Sequence, residues 1–155
     1  MKSKACSSAV ALALVASAAL SAQFRGFQAA SIMPPPPVEV KAGEEFTIPV
    51  TVRIRPGYHI NSSTPLEDYL IPTALVWDAG DFKVIDTEYP EAELVTYEFS
   101  TSPLSVYSGE VLIKAKLKAP ANPAAKELTG SLRYQACNDK ACLAPTSTDV
   151  KVMLR

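Results

Sequence analysis

The 155-residue chain has one histidine and three methionines, too few for a His- or Met-rich metal site. Its net charge at neutral pH is −1, so it has no basic excess to draw it to nucleic acid or anionic lipid. Charged residues make up 20% and hydrophobic ones 48%, which suits a globular protein and excludes a disordered chain. The apolar run over residues 9–20 has 12 residues, short of the roughly 20 that a transmembrane helix needs. No helical stripe longer than two turns, no internal repeat and no alternation of strands with helices is present, so a thioredoxin-like fold is excluded. Glycine is scarce at 6 while proline is abundant at 13. The three cysteines leave an odd count that needs explaining in an exported protein.

Export is indicated by the first residues. Lys2 and Lys4 precede the apolar run, and Ser21 and Ala22 supply small residues before Gln23. This is the pattern of a secretory signal peptide over residues 1–22, with cleavage after Ser21 or Ala22. An uncleaved anchor is the alternative. Loss of the leader takes Cys6, Lys2 and Lys4 away, so 15 basic side chains become 13 against 16 acidic ones, a net charge of −3. Cys137 and Cys142 then remain, in an oxidising compartment where a pair can form a disulfide. The mature chain is expected to be a soluble periplasmic monomer.

The remainder reads as β-structure. Residues 23–37, with four consecutive prolines, form an extended leading segment, and a single domain spans residues 38–155. Phe46, Ile48, Val50, Val52 and Ile54 share one parity against Glu45, Thr47, Thr51, Arg53 and Arg55, the signature of a half-buried strand. Pro49 implies an edge position or a bulge, and Pro56-Gly57 a turn. Further strands are expected over residues 73–77, 82–85, 111–117, 128–136 and 150–154, and one helical turn over residues 91–95. Short strands separated by Pro- and Gly-marked turns predict an all-β, antiparallel sandwich.

The chemistry gathers in one hairpin, Tyr134-Gln135-Ala136-Cys137-Asn138-Asp139-Lys140-Ala141-Cys142-Leu143-Ala144-Pro145. Cys137 and Cys142 flank a polar four-residue turn, close enough across an antiparallel pair for a disulfide. Strand parity puts Tyr134 and Ala136 inward and Cys137 outward, provided the strand has no bulge. Two readings stand at this point. One is a structural staple, the usual role of such a pair. The other is a redox site, because a six-residue loop stabilises by only about 2 kcal/mol and an exposed short-range disulfide is readily attacked.

The hairpin, its Cys142-Leu143-Ala144-Pro145 exit and the Thr-rich final strand resemble the N-terminal periplasmic domain of the transmembrane thiol:disulfide interchange protein DsbD. Pro56-Gly57-Tyr58-His59-Ile60-Asn61 and Tyr107-Ser108-Gly109-Glu110-Val111 are similar to further segments of that family. The resemblance implies an immunoglobulin-like sandwich. It implies thiol–disulfide exchange by Cys137 and Cys142, with Cys142 attacking the partner's disulfide, and no cofactor. The implied partners are a membrane-embedded thiol reductase and periplasmic thioredoxin-like proteins, with cytochrome c biogenesis or disulfide isomerisation downstream. With neither a membrane domain nor a thioredoxin-like domain in the chain, the reading is of a stand-alone electron-carrying module.

Phe99 matches the family's cap over the cysteines, and Tyr58, Asn61 and Tyr107 lie in the similar segments. His59 beside a cysteine would favour the thiolate by charge or hydrogen bonding, and Asp139 and Lys140 would tune it in opposite directions. Ordinary packing of Phe99 and simple solvation of the turn residues are the competing readings. Trp77, Tyr69 and Tyr89 are expected in the core. Two rival functions remain: an immunoglobulin-like binding module with an inert disulfide, and a Cu(I) carrier using Cys137, Cys142 and His59.

Overall fold

A computed structural model describes residues 27–155. The expected leader, and with it Cys6, lies outside the described residues. Among the described residues, eleven strands form three antiparallel sheets. In the first, β1 (Ala30–Ile32), β2 (Glu45–Ile54), β8 (Glu110–Lys118) and β5 (Lys83–Glu88) lie in the order β1-β2-β8-β5. In the second, β10 (Ala136–Cys137), β3 (His59–Asn61), β7 (Leu104–Tyr107) and β6 (Glu93–Val95) lie in the order β10-β3-β7-β6. In the third, β11 (Thr146–Met153), β9 (Glu127–Tyr134) and β4 (Ala74–Asp78) lie in the order β11-β9-β4. The architecture is an immunoglobulin-like antiparallel sandwich. No helix among the described residues is long and apolar enough to cross a membrane.

The strands form where the side-chain parity allows one face to leave water. Ile48, Val50, Val52 and Ile54 of β2 are buried, as are Ile113, Ala115 and Leu117 of β8, and Leu128, Leu132 and Tyr134 of β9. These residues make one continuous core with Val150 and Val152 of β11. Burying a branched aliphatic side chain contributes roughly 1.5–3 kcal/mol, which makes this face the main source of stability. Tyr134 crosses between layers: its hydroxyl accepts from the Ala30 amide and donates to the Ala30 carbonyl, both at 3.3 Å. Pro49 is tolerated because β1 pairs only with residues 52–54 of β2, so no strand flanks Pro49 on the side away from β8. Pro56-Gly57 makes the expected turn, closed by the Tyr58 amide on the Arg55 carbonyl (3.0 Å) with Gly57 at φ 80°, a left-handed value that suits glycine.

Four features depart from the sequence reading. Residues 91–95 do not make a helical turn: Glu93–Val95 is β6, which pairs with β7. Tertiary pairing outweighs the local preference of a stretch too short to hold a helix alone. Strands β3 and β7 were not foreseen, because every residue of both is buried and neither shows alternation. Residues 30–32 fall in the proposed leading segment but form β1, with Ala29 and Ala30 in the core. The stretch read as one strand to Ala136 is two: β9 ends at Tyr134, Gln135 stands between strands, and β10 pairs with β3 of another sheet.

Candidate functional site

The break at Gln135 sets the orientation of the cysteines. Having left one ladder, the chain places both Ala136 and Cys137 in the interior, and Cys137 is fully buried. The expectation that Cys137 faces outward is therefore corrected: it assumed unbroken parity through Gln135. The Gln135 side chain secures the junction. Its Nε2 donates to the Leu143 carbonyl (3.2 Å), and its Oε1 accepts from Asn61 Nδ2 (3.3 Å) and the Ile71 amide (3.4 Å).

Beyond Cys137 the chain reverses at once. Asn138 Oδ1 accepts from the amides of Lys140 and Ala141, both at 2.9 Å, and the Asn138 amide donates to the Ala141 carbonyl (3.0 Å). This is the self-capped turn that an Asn side chain favours. Cys142 comes back opposite Cys137, and the two are joined as a disulfide. The two halves of the bond differ. Cys137 belongs to the core, whereas Cys142 is exposed and lines a cleft of about 450 Å³.

Phe99 lines the same cleft, together with Tyr69, Leu70 and Glu67. It sits at the tip of the β6–β7 hairpin, on the loop of residues 96–103. Its ring stacks on Tyr97 with centroids 5.5 Å apart, and Tyr97 stacks on His59 at 4.1 Å. The structure thus brings the loop carrying Phe99 to the cysteine hairpin, with Phe99 itself 40% exposed. Burial, and then Glu93, hold the Tyr97 phenol above its usual pKa.

His59 is the direct ladder partner of Cys137, so the two side chains project from the same face of the β3–β10 pair. It is buried, and its Nε2 has no hydrogen-bond partner among the described residues. Burial lowers its pKa from 6.5 to about 4. His59 is therefore neutral near pH 7, and the expectation that it favours a thiolate by standing charge is corrected.

The other candidates separate. Asn61 is buried behind the site, donating to the Ile71 carbonyl (3.0 Å) as well as to Gln135. The Tyr107 hydroxyl meets the amide and hydroxyl of Ser63, and its ring belongs to the core. Tyr58 packs against Phe27 at 5.2 Å. Asp139 and Lys140 are exposed at the turn. Tyr69 corrects the expectation that it is a core residue: it is 74% exposed and stands at the cleft, while Trp77 and Tyr89 pack against the core. Sequence reasoning missed Gln135, Tyr97 and Tyr69. Only Gln135 had a signal, its place within the hairpin motif. Among the described residues no group of three or more His, Cys, Asp or Glu side chains is placed to hold a metal ion.

Fold and site together define a class: an immunoglobulin-like sandwich bearing a hairpin disulfide, one half packed in the core and the other open to an aromatic-edged cleft. The chain belongs to the family described as thiol:disulfide interchange protein DsbD, N-terminal, whose model matches residues 29–154. Among solved structures it is similar to the N-terminal periplasmic domain of ScsB from Proteus mirabilis, at 16% identity and a TM-score of 0.54, covering 80% of this chain and 44% of that one. The chain thus spans less than half of that relative's length. It is also similar to the DsbD N-terminal domain of Neisseria meningitidis in the reduced form, at 20% identity and a TM-score of 0.48, covering 72% of this chain and 80% of that one. No protein of curated function matches the sequence.

Proposed function

We propose that this domain is a periplasmic thiol–disulfide exchange module that takes electrons from a membrane-embedded reductase and passes them to thioredoxin-like proteins through Cys137 and Cys142. One observation carries the reading: the disulfide is buried at Cys137 and open at Cys142. A sulfur must be reached in line by an attacking thiolate, so an asymmetric bond directs attack to Cys142 and keeps Cys137 to resolve the mixed disulfide. Family membership supports the chemistry.

The energetics allow a working cycle. The cysteines are five positions apart, and closing so short a loop stabilises the fold by about 2 kcal/mol. The domain can lose that bond at each turnover and remain folded, because its core does not depend on it. Phe99 serves as the cap over Cys142, and residues 1–22 as a leader that is removed on export. In this role the domain acts as a protein-disulfide reductase.

The test is trapping. In Cys137→Ser, Cys142 has no resolving thiol, so mixed disulfides with oxidised thioredoxin-like periplasmic proteins accumulate and are seen on non-reducing gels and by mass spectrometry. If none forms with those proteins present and oxidised, the exchange reading is wrong.

A further inference from the structure

Cys137 poses a chemical problem of its own. To resolve a mixed disulfide it must become a thiolate, yet it sits fully buried, where desolvation disfavours the charged form. A buried thiol in this position needs a base within reach, and the turn residues Asp139 and Lys140 are out in solvent. Across the ladder from Cys137 stands His59, with Cβ atoms of such directly opposed residues about 4.5–5.5 Å apart. Its Nε2 is buried and has no partner among the described residues. Tyr97 stacks on one face of the ring.

We infer that His59 is the proton acceptor for Cys137 in the resolving step, an assignment that rests on the exchange reading above. Cys142 thiolate first attacks the partner's disulfide, forming a Cys142–partner bond and releasing one partner thiolate. The Cys137 thiol then gives its proton to His59 Nε2, and its sulfur attacks Cys142 Sγ. The Cys137–Cys142 bond forms, the Cys142–partner bond breaks, and the second partner sulfur leaves as a thiolate. The domain loses two electrons and the partner gains them, while His59 passes its proton on to solvent or to the leaving thiolate. The neutral imidazole that burial enforces is the form able to accept this proton. The imidazolium is stabilised only while the thiolate lies beside it, so charge appears as a pair and not as a lone buried ion.

Reduced full-length protein mixed with dithiobis(nitrobenzoate) separates the steps in a stopped-flow experiment. The first coloured thiolate reports attack by Cys142 and the second reports resolution by Cys137. In wild type the second-phase rate is flat with pH between the His59 titration and that of the thiol. In His59→Phe and His59→Gln the ratio of second- to first-phase rates falls by about a hundredfold or more at neutral pH, in the range that general-base assistance provides. In both variants the second phase then rises about tenfold per pH unit, as a rate limited by free thiolate must. A wild-type second phase that itself climbs tenfold per pH unit overturns the assignment without any variant. Variants that keep a flat second phase, or that slow both phases equally, overturn it as well. Failure of wild type to release a second thiolate, or to exchange with oxidised thioredoxin-like proteins, counts instead against the exchange reading.

Discussion

His59 has its charge state set by its neighbours. Tyr97 lies against its ring, Cys137 faces it across the ladder, and burial alone moves its pKa from 6.5 to about 4. Because the folded pKa is the depressed one, the unfolded chain binds the proton first as the pH falls. Stability from this group is full above about pH 6.5 and is lost progressively down to about pH 4. We expect a loss on the order of 2 kcal/mol across that window in wild type, absent from His59→Phe, measured by urea unfolding at a series of pH values. Equal losses in both proteins would place the acid sensitivity elsewhere. The sequence identified His59 as a candidate but could not supply its burial, because its neighbours Tyr97 and Cys137 are 38 and 78 positions away in the chain. Gln135 shows the same limit. Its three bonds to Asn61, Ile71 and Leu143 join segments with no local relation, so its place in the hairpin motif does not reveal what it joins.

At the scale of elements, the β6–β7 hairpin and the cysteine hairpin belong together. Strands β6 and β7 pair in register from Glu93↔Val106 to Val95↔Leu104, and this holds out the loop of residues 96–103. The loop is held down by rings: Phe99 on Tyr97, and Tyr97 on His59. Each aromatic pair contributes roughly 0.5–1.5 kcal/mol, enough to keep a loop seated but small enough for a docking partner to displace it. Phe99 and Cys142 line the same cleft, and under the proposed cap role a small dithiol attacking Cys142 has to pass Phe99. Phe99→Ala should therefore speed reduction of the disulfide by dithiothreitol by about threefold or more, since access to the attacked sulfur limits exchange. The rate is followed by alkylation and gel shift, and an unchanged rate would remove the cap role from Phe99. The half-buried strands β2, β8, β9 and β11 were legible because alternation is written locally. Strands β3 and β7, buried on both faces, carry no such pattern, and the sheet of four to which they belong is the one that builds the site.

For the whole molecule, the question is where the sandwich begins. Strand β1 contributes Ala30 and a short ladder against residues 52–54, and it receives the hydroxyl of Tyr134 from the opposite layer. A chain beginning at Val38 would expose part of β2 and leave the buried Tyr134 hydroxyl unpaired. We expect it to be less stable than a chain beginning at Phe27 by about 3 kcal/mol or more, combining lost apolar burial with an orphaned polar group. Urea midpoints of the two chains measure this, and equal midpoints would return the domain boundary to Val38. At this scale the disulfide is a minor contributor to stability.

The sequence by itself determined the all-β class, most of the strands and the Cys137–Cys142 pair. Period-two burial, turn chemistry and cysteine spacing are local properties that a chain carries with it. The tertiary structure decided which sulfur faces water, which residue stands opposite the other, and which loop lines the cleft. Each of these depends on Gln135 leaving one sheet so that β10 can join another, bringing together residues that no local pattern connects. Cys137 and Cys142 thus form one pair whose two members have opposite environments, and that asymmetry is a property of packing.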